Sequence, residues 1–359
     1  MDLRPDVRRL RRYGTVGQGV HIGRGTRITA GEVRIGDRVW IGDGVTITTT
    51  RLEISDDCCI SDGCRLVAPT LVMGENCVLF AGVVAHAVAE FRLGDYAKIS
   101  RHAAIKAVRV GIGSEFWMNQ GAEIGGGGWR AGSGAFLTGD RCHVGRNTHI
   151  NTADVVELGD DTAVGMDCTI ATHAHWQPVT EGFPFSKGPV RLGANVAVYT
   201  RSIISPGVTV APGGTIAGGS VVIRDVPERG LVAGAPARLV RIQQPPDDPE
   251  PLVRKLATAF ATAHGAVAVD PEDGDIARWR LPSGTGGLAL HEGCQFTIDD
   301  GANVATFDIL RRTAGGRSGE LSERVRGHFF SYGVRFRYVD GYRRAPLRAS
   351  ALLDAGLED

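Results

Sequence analysis

Two histidines stand two positions apart in the segment from Cys168 to Gly193, which reads CTIATHAHWQPVTEGFPFSKGPVRLG. An imidazole titrates near 6.5, so at neutral pH a histidine can take a proton from a hydroxyl or an amine and return it later in the same reaction. On an extended backbone His173 and His175 face the same way, so one ring can orient the other. A loop histidine taken alone ordinarily has no such role. These two stand where a strict repeat stops, and the chemistry depends on what holds them there.

The repeat has a period of six. Leu192, Val198, Ile204, Val210, Ile216 and Val222 follow one another at every sixth position, and the same metre runs through Ile35, Ile41 and Ile47, through Leu93, Ile99 and Ile105, and through Leu158, Val164 and Ile170. Six matches neither the helical period of 3.6 nor the strand period of 2, so each hexad reads as one short strand plus a turn. Gly, Asp or Asn near the aliphatic residue suits the bend. Three hexads then close a triangular coil of about 18 residues, and coils stack at the inter-strand spacing of roughly 4.8 Å. The stretches 86–92 and 126–137, the second containing GGGGWRAGSG, interrupt the metre and read as loops or irregular coils.

Composition agrees. Glycine, at 50 of 359 residues, is about twice its usual share of roughly 7%, while aromatic residues make up only 6%. Lys plus Arg and Asp plus Glu are equal at 40 each, so no global field selects nucleic acid or an acidic partner. No run approaches the roughly 18 apolar residues of a membrane span, and a soluble, cytoplasmic protein is expected. The seven cysteines make no CxxC pair and read as reduced, mostly buried thiols.

The metre resembles that of the hexapeptide-repeat family over roughly residues 15–240. The likeness implies a mainly β fold: a left-handed parallel β-helix over residues 1–242, a linker over 243–251 (QQPPDDPEP lies within this region), and a small α+β domain over 252–359. Within the family, Ile170-ATHAH, the extruded WQPVTEGFPFSKGP and the restart at Val190-Arg191-Leu192-Gly193 look like the maltose, galactoside and xenobiotic O-acetyltransferases. The ending ISPGVTVAPGGTIAGGSVVIRDVPERGLVAGAPARLVRI is similar to their terminal coils and Ala-Gly-x-Pro-Ala-Arg signature.

The resemblance implies transfer of an acetyl or other short acyl group from coenzyme A to a hydroxyl of a sugar-containing acceptor, with histidine as general base, acetyl-CoA as donor and no metal. Its pattern favours His175 as that base, while relatives with a Thr-His pair point instead to Thr172-His173. It places Asn151 against the acceptor, and Thr200, Gly218, Arg224 and Arg238 along the coenzyme groove. The relatives' Trp-Ile-Gly step stands here as Ala197-Val198-Tyr199, a departure that bears on the coenzyme fit. A homotrimer is implied, with no nucleic acid and no transmembrane segment. The rival readings are N-acetylation of a nucleotide-linked amino sugar, a carbonic-anhydrase-like metal protein drawing on His86, His102, His143, His149, His173 and His175, and a scaffold without catalysis.

Beyond residue 252, Val253, Leu256, Ala257, Phe260 and Ala261 follow helical spacing, while Val334, Phe336 and Tyr338 alternate as in a strand. The arginines of this tail, among them Arg311, Arg317, Arg343 and Arg344, read as a solvated face or as a surface for an anionic partner. No catalytic group is expected there.

Overall fold

Hexads become short strands joined by tight turns, each strand pairing in parallel with the matching strand of the next coil. On one face Ile22 pairs with Ile41, Ile41 with Ile60 and Ile60 with Leu79. On the second, Ile28 pairs with Ile47 and Ile47 with Leu66; on the third, Ile35 pairs with Ile54 and Ile54 with Met73. This computed structural model describes residues 7–126, 132–272, 274–282, 284 and 286–339. Its fold is a left-handed parallel β-helix of about 11 turns followed by a small α+β unit. The first of two compact units runs to Gln244 and the second begins at Pro245.

The pairing of Ile22 with Ile41 and of Ile41 with Ile60 makes the coil 19 residues long, one more than three hexads. The additional residue lies between Ile28 and Ile35, where the amides of Gly31 and Glu32 both reach Thr50 O, at 2.9 and 2.8 Å. From Leu192 to Val210 the strict 18-residue coil returns. A second departure concerns residues 86–92. They lie within one continuous strand, Val84–Leu93, paired with Ala104–Ile112, and the surplus is absorbed as a register shift between Ala87 and Glu90. A β-bulge accommodates such a surplus without leaving the sheet. Of the other interruption, residues 127–131 lie outside the described residues, as do Arg343 and Arg344.

The prism interior is mostly aliphatic. Aliphatic residues at the metre positions are almost fully buried, each worth about 1.5–3 kcal/mol relative to exposure. Beside them a column of smaller side chains (Val45, Cys64, Val83, Ala103, Ala122) fills the converging corner. All seven cysteines are buried and free. Burial pushes the Cys59 thiol up to about 11 and the Cys64 thiol up to about 12, far from the thiolate form that reacts. An aromatic disulfide reagent should therefore modify none of the seven in the folded chain within minutes and all seven in denaturant. Rapid labelling of the native chain would contradict this packing.

At the corners, backbone amides outside the ladders find side-chain acceptors in the next coil. Arg24 N donates to Asp43 Oδ1 at 2.6 Å, and Asp43 N to Asp62 Oδ1 at 2.7 Å. This satisfies donors that would otherwise cost free energy. Arg38 and Arg141 hold left-handed backbone angles, φ 56° and 58°, and each guanidinium lies across the following coil's aspartate. At the end of the prism Gly230–Gly234 pairs in parallel with Thr215–Ile216 and folds back antiparallel on Ala237–Ile242, which forms the exposed edge of that sheet.

The second unit is a seven-stranded sheet, antiparallel from Val267–Val269 to Thr313–Gly316, with Arg337–Tyr338 added in parallel. The helices Glu250–Ala263 and Glu320–Phe330 contribute Phe260, Val325 and Phe329 to a core shared with Trp279, Phe296 and Phe307. Among the described residues, no helix is long and apolar enough to cross a membrane.

Candidate active site

Three successive coils lengthen at the same corner of the prism. Their metre residues are in register, Ile124 with Ile150 and Ile150 with Ile170, and after each of them the chain takes a detour before the next strand. The first detour contains Gly126 and Ser133, the second is the turn Asn151–Val155, and the third is the hairpin bearing the two histidines. Stacking joins residues far apart in sequence at one place.

The hairpin is anchored at its root. His173–Ala174 pairs antiparallel with Ser186–Lys187, and Gly188 N donates to Thr172 O at 3.0 Å. His173 therefore sits where rigid coil becomes extruded loop, half-buried, while His175 is one step outward and exposed. Beyond it the loop carries Trp176, almost wholly exposed, and Phe185. The His175 ring lies between the rings of His173 and Phe185, with centroids at 5.2 and 4.7 Å.

Asn151 organises the root. Ala153 N donates to Asn151 Oδ1 at 3.0 Å, which identifies that atom as the amide oxygen. The same oxygen lies 2.6 Å from the Thr172 hydroxyl and 2.9 Å from His173 Nδ1. An amide oxygen only accepts, so His173 Nδ1 carries the proton and a neutral ring keeps its lone pair on Nε2. The fully buried Thr172 hydroxyl also accepts Asp154 N–H at 3.1 Å. Burial first, and then the nearby His175 and Lys187, hold His173 below the usual histidine range.

Lys187, which the sequence reading passed over, faces His173 across the hairpin and donates from Nζ to Ser133 Oγ at 3.4 Å; Ser133 Oγ in turn reaches Ala153 O at 3.2 Å. One chain of contacts thus joins all three detours. A lysine close behind a paired histidine in an extruded loop is the signal that could have singled it out.

The four residues expected along the coenzyme groove fall at two corners. Thr200 and Gly218 stack: Gly219 N donates to Thr200 O at 3.0 Å, and a Cβ on Gly218 would stand 3.3 Å from that oxygen. Arg238, exposed on the closing strand opposite Ala233, belongs with them, because Val198, Ile216 and Val232 are in register. Arg224 follows Val222, which is in register with Ile204 and Ile170, so it lies at the histidine corner two coils along. Asn151 is expected against the acceptor, and the structure gives its side-chain oxygen to His173, Thr172 and Ala153. Among the described residues, no group of three or more His, Cys, Asp or Glu side chains is placed to hold a metal ion.

Metre, fold and extruded histidine hairpin define the class: a hexapeptide-repeat β-helix that resembles the sugar O-acetyltransferases of that group. The chain is 29% identical over 114 residues to the galactoside O-acetyltransferase of Escherichia coli, a match covering 30% of this chain and 56% of that protein. It is 34% identical over 113 residues to a putative acetyltransferase of Saccharomyces cerevisiae, covering 31% and 57%. The chain spans about half the length of these curated relatives. Among solved structures, a hexapeptide-repeat containing acetyltransferase of Vibrio cholerae is similar at 21% identity and TM-score 0.33, covering 38% of this chain and 74% of that one. No family profile matches the chain.

Proposed function

We propose that the chain transfers an acetyl or other short acyl group from coenzyme A to a hydroxyl of a sugar-containing acceptor, with His173 as general base. The observation that carries this reading is the 2.9 Å contact between Asn151 Oδ1 and His173 Nδ1, which leaves Nε2 as the basic atom. Nε2 takes the acceptor's hydroxyl proton while the oxygen attacks the thioester carbonyl; the C–S bond then breaks, and the imidazolium returns the proton to the departing sulfur. The similarity to a galactoside O-acetyltransferase supports the sugar class.

His173 replaces His175 as the preferred base because it alone of the pair has a partner that fixes its tautomer; in this reading His175 covers the ring and tunes it. Asn151 acts as a positioning residue. Thr200 and Gly218 offer a flat corner for the pantetheine arm, and Arg224 and Arg238 suit the coenzyme's phosphates. Screening sugar and amino-sugar acceptors with acetyl-CoA, reading thiol release and the acetylated atom, tests the reaction. Acceptor-dependent release giving an ester is expected, and release with amines alone would move the reading to N-transfer.

Two further outcomes follow. Lys187→Met removes a cation that depresses His173, so the ring protonates at a higher pH and the acid limb of kcat/KM should move upward. An unmoved limb, with turnover retained, would place Lys187 outside the site. The assembly proposed is a homotrimer with its clefts between neighbouring prisms, and sedimentation at micromolar concentration should show three chains; a monomer would contradict it.

A further inference from the structure

The sheet of the second unit has one sealed face and one open face, and the open face is built unlike an ordinary solvated surface. Its sealed face carries Trp279, Leu288, Leu290, Phe296, Ile298 and Phe307 beneath the two helices. On the other face, register places Val269, Arg278, Ala289, Thr297, Thr306 and Gly315 in one row, and Val267, Arg280, Gly287, Asp299 and Val304 in the next. Small residues at the centre, with charged residues and the valines Val269 and Val304 around them, make a trough of about 1030 Å³. That volume stands at the upper end of the roughly 300–1,000 Å³ typical of ligand pockets, room for more than a single sugar ring.

Polar groups on the floor are fixed in advance. Asp275 Oδ1 lies 2.7 Å from His291 Nδ1, with the Asp275 side chain only 6% exposed. His291 Nε2 lies 2.9 Å from Thr297 Oγ1, and that hydroxyl is 3.4 Å from Thr306 Oγ1. Arg278 is held by Glu272, with Asp275 at 3.8 Å. Asp275 can only accept, so His291 Nδ1 carries a proton; with a neutral ring, Nε2 accepts a hydrogen bond from the Thr297 hydroxyl and leaves that oxygen's lone pairs for other donors. The result is an alternation of donors and acceptors on a flat floor.

The charge around this floor selects the occupant. Asp270, Glu272, Asp275 and Asp299 outnumber Arg278 and Arg280 among the lining groups, which disfavours phosphorylated or other anionic ligands. The hydroxyls and the ionic groups disfavour an acyl chain, because each would lose water without a partner. A neutral, hydroxyl-rich chain satisfies both signs at once, offering a donor and an acceptor from every hydroxyl.

We infer that this trough is a second binding site, which takes a neutral oligosaccharide. The sugar class rests on the acceptor proposed above; the trough and its polarity do not. Calorimetry on the full chain with maltohexaose and with chitohexaose tests it, alongside a heparin hexasaccharide as the anionic comparison. At least one neutral sugar should bind with Kd below ~1 mM, at least 10-fold more weakly to Thr297→Val, which keeps shape and removes the hydroxyl, and not at all to Ala289→Phe, which fills the floor.

If neither neutral sugar binds, if only heparin does, or if both trough variants bind as the parent does, the inference is overturned. Melting curves confirm that each variant is folded, and the isosteric valine variant decides the matter alone should the phenylalanine variant unfold. A chain that binds no acetyl-CoA defeats the acyltransferase reading while leaving the trough result standing, so the two failures are distinguishable.

Discussion

His173→Ala should lower turnover at least ~10²-fold and leave the coenzyme Kd within about 2-fold, because proton transfer is lost and the binding surface is not. The ring is fixed at Nδ1 by Asn151 and sits at the hairpin root, where the coil below holds it. His175→Ala should cost less, since that ring is exposed and its contacts are the faces of His173 and Phe185. It should also move the acid limb upward, because His175 helps to depress His173. Asn151→Ala should lower kcat while affecting KM little, and Asn151→Asp should change the pH profile by placing an anion against the ring. Full turnover in His173→Ala together with loss in His175→Ala would reverse the assignment. Full turnover in both would end the general-base account.

Arg141→Met should cost about 3–5 kcal/mol of stability, whereas Arg38→Met should cost little, because water can replace an exposed partner, although the two residues repeat the same corner. Both have left-handed backbone angles, and both place Nε 2.7 Å from an aspartate of the next coil. Burial separates them: the side chains of Arg141 and Asp161 are 6% and 7% exposed, against 58% and 24% for Arg38 and Asp57. Without Arg141, the buried Asp161 carboxylate would lose the guanidinium that meets both its oxygens, at 2.7 and 3.3 Å, and that also lies near Asp140 and Asp160. Without Arg38, water replaces the lost partner. Denaturant titration of the two variants should show the large shift only for Arg141→Met, and equal shifts would show that burial does not set the cost.

The β-helix was legible because its requirement recurs: every coil needs an inward aliphatic residue on each face, and a missing one would leave a void. The 19-residue coil was hidden because the seventh residue falls between clean hexads, as from Ile47 to Ile54, where no single hexad is broken. Residues 86–92 read as a loop since they break the metre, yet Val88, Ala89, Glu90 and Phe91 include no glycine or proline to end a strand, and a bulge keeps them in the sheet. The helix from Glu250 was visible in the spacing of Val253, Ala257, Phe260 and Ala261, all buried. Most of the sheet that follows was not, because its strands are short and its open face is made of small residues that blur the alternation.

At the candidate site, the break in the metre marked the segment that leaves the coil as a hairpin. The contact between His173 and Asn151 was not legible, because the two stand 22 positions apart and a coil of irregular length brings them together. Lys187 and Ser133 meet for the same reason, across 54 positions.

The central claim is that Asn151 presents His173 as a neutral base at Nε2. Long-range ¹H–¹⁵N NMR on the histidine-labelled chain, titrated through neutral pH with His173 assigned by its alanine variant, measures this directly. The account predicts the Nδ1–H tautomer for His173, a pKa below that of an ordinary histidine, and loss of the tautomer preference in Asn151→Ala. An Nε2–H tautomer, or a ring that remains protonated at neutral pH, would contradict it.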